Sequence, residues 1–208
     1  PVTKHSTGEL MRQCDLVVAT GSQANVRAAA ASGTPAFGVG AGNVAGIVDE
    51  TADAAAAADR VMRSKTFDNA TSCSSENSLV LVAPAREAML SALRERGAVL
   101  LDARQKAALQ ALMWPDGKLS PAAIGQSARV IAERAGLPEV ASLDPRVLLV
   151  EESGIGPDHP YSGEKLSPVL AVYTVPDFDA AADTVARIYA HQGAGHSVGL
   201  HTKHPEQA

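Results

Sequence analysis

The sequence predicts an α/β fold with a three-layer αβα arrangement around a mainly parallel sheet, and three observations predict it. Short runs rich in Val, Ile and Leu alternate with longer helix-forming segments, and the connections between them are short. This is the order of a parallel sheet covered by helices. Aromatic residues make up only 3% of the chain, so Ala, Val, Leu and Ile must build the core. These residue types suit strands that are buried on both faces under Ala-rich helices.

Strands are predicted where an apolar run is bounded by Gly, Pro or polar residues. The run CDLVVATG ends in a glycine, and PAFGVG leads into a Gly-rich turn. The strands are expected at 14–21, 35–40, 78–84, 98–101, 146–152, 169–175 and 196–202.

Helices are predicted from Ala-rich and amphipathic segments with start and stop signals. Ser22 precedes the first of them and Gly33 stops it. The segment 49–67 carries acidic residues in its first turns and basic residues in its last, as the helix dipole favours. The helices are expected at 22–33, 49–67, 85–96, 103–113, 121–135 and 177–192, with an irregular loop at 154–168.

Charge and cysteine content exclude several classes of protein. The net charge is −5, and the 18 basic residues are scattered, which argues against a nucleic-acid or anionic-membrane surface. No apolar run reaches the roughly 18 residues that a membrane span needs. The two cysteines form neither a disulfide framework nor a metal-ligand spacing. We therefore expect a soluble cytoplasmic protein, with no metal, no nucleic acid and no membrane partner.

Cys73 stands among small polar residues in TSCSSENS, where a buried structural cysteine is unusual. A partly open site with hydroxyl and N–H groups suits a nucleophilic thiolate, so catalysis is one interpretation and a plain loop cysteine is the other. Cys14 begins an apolar run and is expected to fill the core.

Two glycine-containing turns are candidate ligand sites. ATGSQANV forms a strand-to-helix turn whose helix N-terminus can hold an anion, although many such turns carry a single glycine without binding one. GVGAGN either lines a ligand through close backbone approach or serves as an irregular hinge. Glu164 and His196 precede strands, but exposed charges and lone structural histidines are common. None of these signals decides alone.

Taken together and in order, these segments resemble the CoA-acylating branch of the aldehyde dehydrogenase superfamily. The matching motifs are SGTPAFGVGAGN, DETAD, SKTFDNATSC, EKLSPVLAVY and GAGHS, and the resemblance covers essentially all 208 residues. That branch includes acetaldehyde, propionaldehyde and sulfoacetaldehyde dehydrogenases. Its members are longer, and this chain starts at Pro1 without an initiator Met, so we expect a fragment. The resemblance implies the end of a Rossmann-like coenzyme-binding domain at 1–43 and a catalytic domain at 44–208.

The resemblance also assigns roles to single residues. Cys73 matches the nucleophile, whose thiolate adds to the aldehyde, passes hydride to a nicotinamide and transfers the resulting thioester to CoA. His196 matches a histidine of the acylating branch, for which the resemblance suggests proton transfer. The residues that match cofactor-binding positions are Thr20, Gly21 and Ser22 at the turn beside the pyrophosphate, Gly40 in the Gly-rich turn, Glu164 at the nicotinamide ribose, and Leu166 near the nicotinamide.

The position of Gly38 separates the acylating from the hydrolytic branch. Hydrolytic aldehyde dehydrogenases carry a glutamate here that activates water against the thioester, and glycine cannot act as this base. The resemblance therefore implies NAD or NADP as cofactor, CoA as acyl acceptor, a small aldehyde as substrate and a homo-oligomer in the full-length protein. Two alternatives remain open from the sequence, a hydrolytic aldehyde dehydrogenase and a non-catalytic ligand-binding fragment.

Overall fold

A computed structural model of the chain describes residues 3–207, which form two compact units that divide between Gly42 and Asn43. The helices and strands in chain order are α1 (Lys4–Gln13), β1 (Val17–Thr20), α2 (Gln23–Ala30), β2 (Ala36–Val39), β3 (Val44–Val48), α3 (Ala54–Thr66), β4 (Glu76–Val82), α4 (Arg86–Glu95), β5 (Ala98–Leu100), α5 (Ala103–Met113), α6 (Ala128–Arg134), α7 (Pro138–Ala141), β6 (Val147–Glu151), β7 (Val169–Val175), α8 (Phe178–His191) and β8 (Val198–His201).

The first unit contains a two-stranded parallel sheet. β1 pairs with β2 in a register that sets Val17 opposite Ala36 and Thr20 opposite Val39. Val17 and Ala19 point to the buried side of β1 and pack with Ala29 of α2. Both strands therefore end at the same edge, where the turn into α2 begins.

The second unit is built on a six-stranded sheet in the order β5-β6-β7-β4-β3-β8. Its five strand pairings are all parallel. Helices α3 and α4 bury Val61, Met62 and Leu93 against one face. Helices α5 to α8 cover the other face with residues that include Leu109 and Ile131. The predicted three-layer αβα fold with a mainly parallel sheet is confirmed.

The sequence patterns missed one central strand. β3 (VAGIV) is buried along its whole length and lies between β4 and β8, but no strand was predicted after the Gly-rich turn. Gly46 interrupts its apolar pattern and lowers its strand propensity. A Cβ at Gly46 would lie 3.4 Å from Leu79 Cδ1, so the glycine keeps the neighbouring side chains close.

The helix predicted at 121–135 begins only at Ala128. Gly125 has a φ of +67°, which interrupts helical geometry, and Ser127 then caps α6 by accepting a hydrogen bond from Val130 N–H at 3.3 Å. The residues before Ser127 form turns rather than a helix, and this irregular segment contacts the candidate site. The short helices α1 and α7 were not predicted either.

Candidate active site

Four loops meet the large sheet at one edge. They precede β3, β4, β7 and β8, which are neighbours in the sheet and run in the same direction. Parallel strands start at the same edge, so these loops lie side by side at the amino ends. The loops carry Asn43 and the TSCSS, EKLSP and GAGHS motifs. Motifs that are far apart in the sequence are thereby brought to one edge.

The thiol of Cys73 is exposed on the loop between α3 and β4. The three residues at 68–70 precede it with positive φ angles of 48°, 49° and 59°. Asp and Asn adopt this left-handed conformation more readily than other residues, whereas for Ala70 it costs about 1–2 kcal/mol. Ser75 N–H donates to the Ser72 carbonyl oxygen at 3.0 Å, which closes a tight turn around Cys73. The thiol is therefore accessible and is carried by a constrained loop.

Glu164 is half-buried on the loop before β7. Its N–H donates to Gln192 Oε1 at 3.2 Å. The next side chain, Lys165, is completely buried, and its Nζ donates to the carbonyl oxygens of Tyr161 at 2.6 Å and Gly163 at 2.8 Å. These bonds fix the backbone on both sides of Glu164.

Two hydrogen-bonded bridges join the Cys73 loop and the start of β4, which directly follows it, to the Glu164 loop. Asn77 Oδ1 accepts from Lys165 N–H at 3.0 Å. Asn69 Nδ2 donates to the Gly125 carbonyl oxygen at 3.0 Å, and Gly125 N–H donates to the Leu166 carbonyl oxygen at 2.9 Å. Leu166 also has a positive φ of 45°. The structure thus joins the loops that carry Cys73, Glu164 and Leu166.

Asn43 ties two further loops to this edge. Its side chain is completely buried, and Nδ2 donates to the carbonyl oxygens of Ser162 at 2.8 Å and Gln192 at 3.3 Å. Gly193 packs directly on Asn43, since a Cβ at Gly193 would lie only 2.7 Å from Asn43 Cβ. The first glycine of the GAGHS motif is therefore required by close packing.

His196 is half-exposed on the loop before β8. Its Nδ1 accepts a hydrogen bond from Ser197 N–H at 2.9 Å. A neutral ring in this arrangement carries its proton on Nε2. Nε2 is therefore the ring nitrogen that Ser197 leaves free.

Two completely buried lysines lie near this edge. Burial lowers the pKa of Lys65 to about 7, although the carboxylates of Glu76 and Glu164 act in the opposite direction. Lys65 Nζ has no hydrogen-bond partner among the residues that the structure describes. Burial and the nearby Lys65 also lower the pKa of Lys165 well below its ordinary value. Buried ammonium groups of this kind are costly to maintain and are often found at functional sites.

The four predicted cofactor residues of the first unit lie at the carboxyl ends of β1 and β2. Thr20 ends β1, Gly21 follows with a φ of +97°, and Ser22 caps α2 by accepting a hydrogen bond from Asn25 N–H at 3.3 Å. Gly40 directly follows β2. The turn exposes the N-terminus of α2, which is where phosphate groups bind in many α/β proteins.

Gly38 has a packing role that the sequence did not reveal. A Cβ at this position would lie 2.4 Å from Val26 Cγ1 on α2. Val26 is branched and lies on the helix face against β2, so it cannot simply move aside. The glycine therefore lets α2 pack closely on β2.

Two kinds of feature are absent from residues 3–207. No group of three or more His, Cys, Asp or Glu side chains is placed to hold a metal ion. Within the same residues, no helix has the length and apolar character that crossing a membrane requires.

Comparison with known proteins identifies relatives of this chain, although no family model matches it. An acylating sulfoacetaldehyde dehydrogenase of Cupriavidus necator is 63% identical over 208 residues, which are all of this chain and 42% of that protein. An acylating sulfoacetaldehyde dehydrogenase of Bilophila wadsworthia is 42% identical over 207 residues, covering 96% of this chain and 44% of that protein. The crystal structure of an acetylating aldehyde dehydrogenase from Geobacillus thermoglucosidasius superimposes with a TM-score of 0.93 at 36% identity, over 99% of this chain and 45% of that one.

The relatives of this chain are acylating aldehyde dehydrogenases. The resemblance stated from the motifs is thereby confirmed. The chain spans less than half the length of these relatives, as the expectation of a fragment requires.

The expectation for Cys14 was wrong. Its thiol is exposed, because α1 extends to Gln13 and β1 begins only at Val17, so Cys14 ends a helix instead of starting a strand. Its Sγ donates to the Leu10 carbonyl oxygen at 3.2 Å. Burial therefore does not distinguish the two cysteines of this chain.

Sequence reasoning also missed the residues that hold the loops together, namely Asn43, Asn77, Lys165 and Gly125. A weak signal was present, since buried polar side chains at the start of strands usually bond to neighbouring loops. Asn43 and Asn77 both stand next to the first residue of a buried strand. Gly125 lies in a predicted helix, where an interior glycine is itself an anomaly.

Proposed function

We propose that the full-length protein is an NAD(P)-dependent, CoA-acylating aldehyde dehydrogenase, with the first unit contributing to the coenzyme domain and the second to the catalytic domain. The observation that carries the proposal is the edge of the large sheet, where hydrogen bonds of Asn77 and Asn69 connect the surroundings of the exposed Cys73 to the segment that holds Glu164. The motifs at this edge are those on which the similarity to acylating dehydrogenases depends.

Cys73 is the nucleophile in this proposal. Its thiolate sulfur forms a bond to the aldehyde carbon, which becomes tetrahedral. The carbonyl oxygen becomes an oxyanion, which Cys73 N–H stabilises. Collapse of this thiohemiacetal releases the former aldehyde hydrogen as hydride and leaves a thioester on Cys73. The bound nicotinamide supplies the hydride acceptor. The CoA sulfur then attacks the thioester carbon, Cys73 leaves as a thiolate, and the acyl-CoA is released.

The residues of this chain fit the cofactor that the proposal requires. A carboxylate such as that of Glu164 accepts two hydrogen bonds, as a pair of ribose hydroxyls needs. Leu166 offers an apolar side chain on the same loop. In the first unit, the 20–22 turn and Gly40 offer backbone N–H groups and a helix N-terminus to a pyrophosphate. His196 would assist proton transfer, with Nε2 as the ring nitrogen that Ser197 leaves free.

CoA is favoured over water as the acyl acceptor. Water attacks a thioester efficiently only with a general base, which typically contributes about 10²–10⁴-fold. Gly38 provides no base, and α2 fills the space beside it with Val26. A thiol ionises far more readily than water and needs less assistance. The crystal structure of a propionaldehyde dehydrogenase from Rhodopseudomonas palustris with bound propionyl-CoA, 26% identical at a TM-score of 0.87 and covering 99% of this chain and 45% of that one, supports an acyl-CoA product.

Sulfoacetaldehyde is the favoured substrate among small aldehydes. The support is the 63% identity to the Cupriavidus necator sulfoacetaldehyde dehydrogenase over all 208 residues. Acetaldehyde is the second candidate, because the Geobacillus acetylating enzyme is also similar, at 36% identity.

The test uses the purified full-length protein with NAD⁺ or NADP⁺, and with sulfoacetaldehyde, acetaldehyde or propionaldehyde in turn. Without CoA we expect one burst of reduced nicotinamide per Cys73 and then a stall, and with CoA we expect steady turnover to acyl-CoA. Sulfoacetaldehyde should give the highest kcat/KM. Steady formation of free acid at a comparable rate without CoA would refute the acylating assignment, and absence of nicotinamide reduction with all three aldehydes would refute the dehydrogenase.

A further inference from the structure

The two bridges between the Cys73 segment and the Glu164 loop start at equal distances along the sequence from Cys73. Asn69 and Asn77 lie four residues before and four residues after Cys73. Their partners on the other loop are Leu166, reached through Gly125, and Lys165, which directly follows Glu164. Each bridge therefore connects a point close to Cys73 with a point close to Glu164.

The bridge through Asn77 is closed to solvent. Asn77 is 3% exposed, and Lys165 is completely buried. Water cannot replace a hydrogen bond at such a place, so the loss of either partner leaves a buried polar group without its bond. Lys165 Nζ also braces the loop from inside through the carbonyl oxygens of Tyr161 and Gly163. The Glu164 backbone is thus held between Lys165 and Gln192, with little freedom to move relative to Asn77.

We propose that Asn77, Lys165 and Asn69 are positioning residues that set the distance between the reacting carbon on Cys73 and the nicotinamide held by Glu164. This inference rests on the proposed function for the roles of Cys73 and Glu164. In this proposal the three residues act through the two loops that they connect, by way of their hydrogen bonds to Gly125, Leu166 and the segment around Glu164.

Hydride transfer depends steeply on such positioning. Reacting atoms must approach within about 3–3.5 Å, and a displacement of about 1 Å can cost about 10²-fold in rate. Cofactor binding alone is less sensitive, because many contacts outside this loop contribute to it. Loosening the bridges should therefore lower the rate of hydride transfer more than it weakens binding of the cofactor.

The first test measures the coupling of the loops without any reaction. In the full-length protein, Asn77→Ala removes the acceptor for Lys165 N–H, and hydrogen exchange at the amides of 163–166 should become about tenfold faster. Thr184→Ala is the matched control, since Thr184 is 7% exposed and its Oγ1 donates to the Ala180 carbonyl oxygen at 2.8 Å within α8. It should leave exchange at 163–166 unchanged. Unchanged exchange in Asn77→Ala, or equal acceleration in both variants, would overturn the coupling.

The second test measures its consequence for the reaction. For Asn77→Ala we expect pre-steady-state hydride transfer to fall by about 10–10²-fold, with KM for the cofactor changing less than about threefold, and a larger deuterium isotope effect from aldehyde labelled at C1. Asn77→Asp keeps the oxygen that accepts from Lys165 N–H but loses the Nδ2 donation to the Ser75 carbonyl oxygen at 3.4 Å, and it should retain more of the rate than Asn77→Ala. A loss of thermal stability with normal hydride transfer in the folded protein would overturn the positioning role.

The wild-type protein separates this inference from the proposed function. Failure of the wild type to reduce nicotinamide would contradict the proposed function and, with it, the catalytic meaning of the bridges. Normal wild-type turnover together with an unchanged isotope effect in Asn77→Ala would contradict only the positioning role.

Discussion

The two compact units present their candidate residues at opposite edges of their parallel sheets. In the first unit, the 20–22 turn and Gly40 follow the carboxyl ends of β1 and β2, the usual position of ligand sites in α/β proteins. In the second unit, Cys73, Glu164 and His196 lie on loops that precede the strands. A parallel sheet therefore does not by itself determine at which of its two edges a site forms. The edge is set by the loops that carry suitable side chains.

The carboxyl edge of the large sheet differs from its amino edge. It holds an open cleft of about 540 Å³ whose lining includes Glu152. The Glu152 side chain is 5% exposed and is paired with Lys106 Nζ at 3.0 Å and His159 Nδ1 at 3.1 Å. Burial raises the pKa of Glu152, but hydrogen bonds from Ser153 N–H and Lys106 outweigh it and hold the pKa below its ordinary value. This carboxylate is fully paired with its neighbours, unlike the accessible thiol at the other edge.

The two cysteines, one in each unit, provide the most direct test of this difference between the units. In the full-length protein, Cys73→Ser should reduce aldehyde-dependent nicotinamide reduction by at least about 10³-fold, because the nucleophile is lost. The change in free energy of unfolding should stay within about 0.5 kcal/mol, since the thiol is exposed. Cys14→Ser is the matched control, and it should leave turnover unchanged. Equal losses in the two variants, measured by steady-state kinetics, would remove Cys73 from the mechanism.

The buried Lys65 allows a test of whether the amino edge of the large sheet lowers the stability of the protein, as functional sites often do. Burial lowers its pKa to about 7 in the folded protein, against an ordinary value of 10.5. The unfolded chain therefore binds more protons between these two pH values, and stability should rise with pH across this window. The penalty is fully present below pH 7, and one pKa unit corresponds to about 1.4 kcal/mol.

Lys65→Met should remove this penalty. We expect the variant to be about 1–4 kcal/mol more stable than the wild type near neutral pH, and the rise of stability above pH 7 to flatten. Lys118→Met, at an exposed position, is the control and should change neither quantity. Urea titrations at a series of pH values provide the measurement. A destabilised Lys65→Met with an unchanged pH profile would show that the ammonium group is well stabilised in the folded protein.

Gly193 and Gly195 separate close packing from backbone strain within one motif. Both have positive φ, 94° and 84°, but a Cβ at Gly193 would lie 2.9 Å from Asn43 N, whereas nothing lies within 4 Å of one at Gly195. Alanine at either position should cost about 1–2 kcal/mol for the left-handed backbone. Gly193→Ala should cost about 1–3 kcal/mol more, because the loop must move off Asn43. Equal losses on denaturation would mean that the contact with Asn43 is easily relaxed.

The fold could be predicted from the sequence because its elements carry strong local signals. β7 was predicted at its observed bounds, and α5 likewise, since an uninterrupted apolar run and a segment of strong helix formers capped by Asp102 leave little choice. β3 could not be predicted, because Gly46 breaks its pattern and its burial comes from neighbours that are distant in the sequence. The expectation that Cys14 fills the core was wrong because the polar helix α1, which buries no residue, was not predicted and extends to Gln13.

The candidate site was predictable only in part. Cys73, Glu164 and His196 were recognised through motifs, and their roles remain predictions. The bridges through Asn69, Asn77 and Gly125 depend on which loops become neighbours in the sheet, which no local pattern records. Sheet order is decided by packing over the whole unit, so side chains that connect loops are the part of a site that a single sequence conceals most completely.

The smallest expected effect concerns Ser22, at the candidate cofactor turn of the first unit. Ser22 Oγ accepts from Asn25 N–H at 3.3 Å and caps α2, so its hydroxyl already has a structural role at the carboxyl edge of the small sheet. Ser22→Ala should cost about 1 kcal/mol of stability through the lost cap. Ser127→Ala is the control, because Ser127 caps α6 with the same 3.3 Å geometry in the second unit. If the 20–22 turn binds a pyrophosphate, only Ser22→Ala should also weaken binding of NAD⁺ or NADP⁺ to the full-length protein, by about threefold to tenfold for one lost hydrogen bond. Calorimetric titration of both variants measures this, and equal affinities would leave Ser22 with its capping role alone.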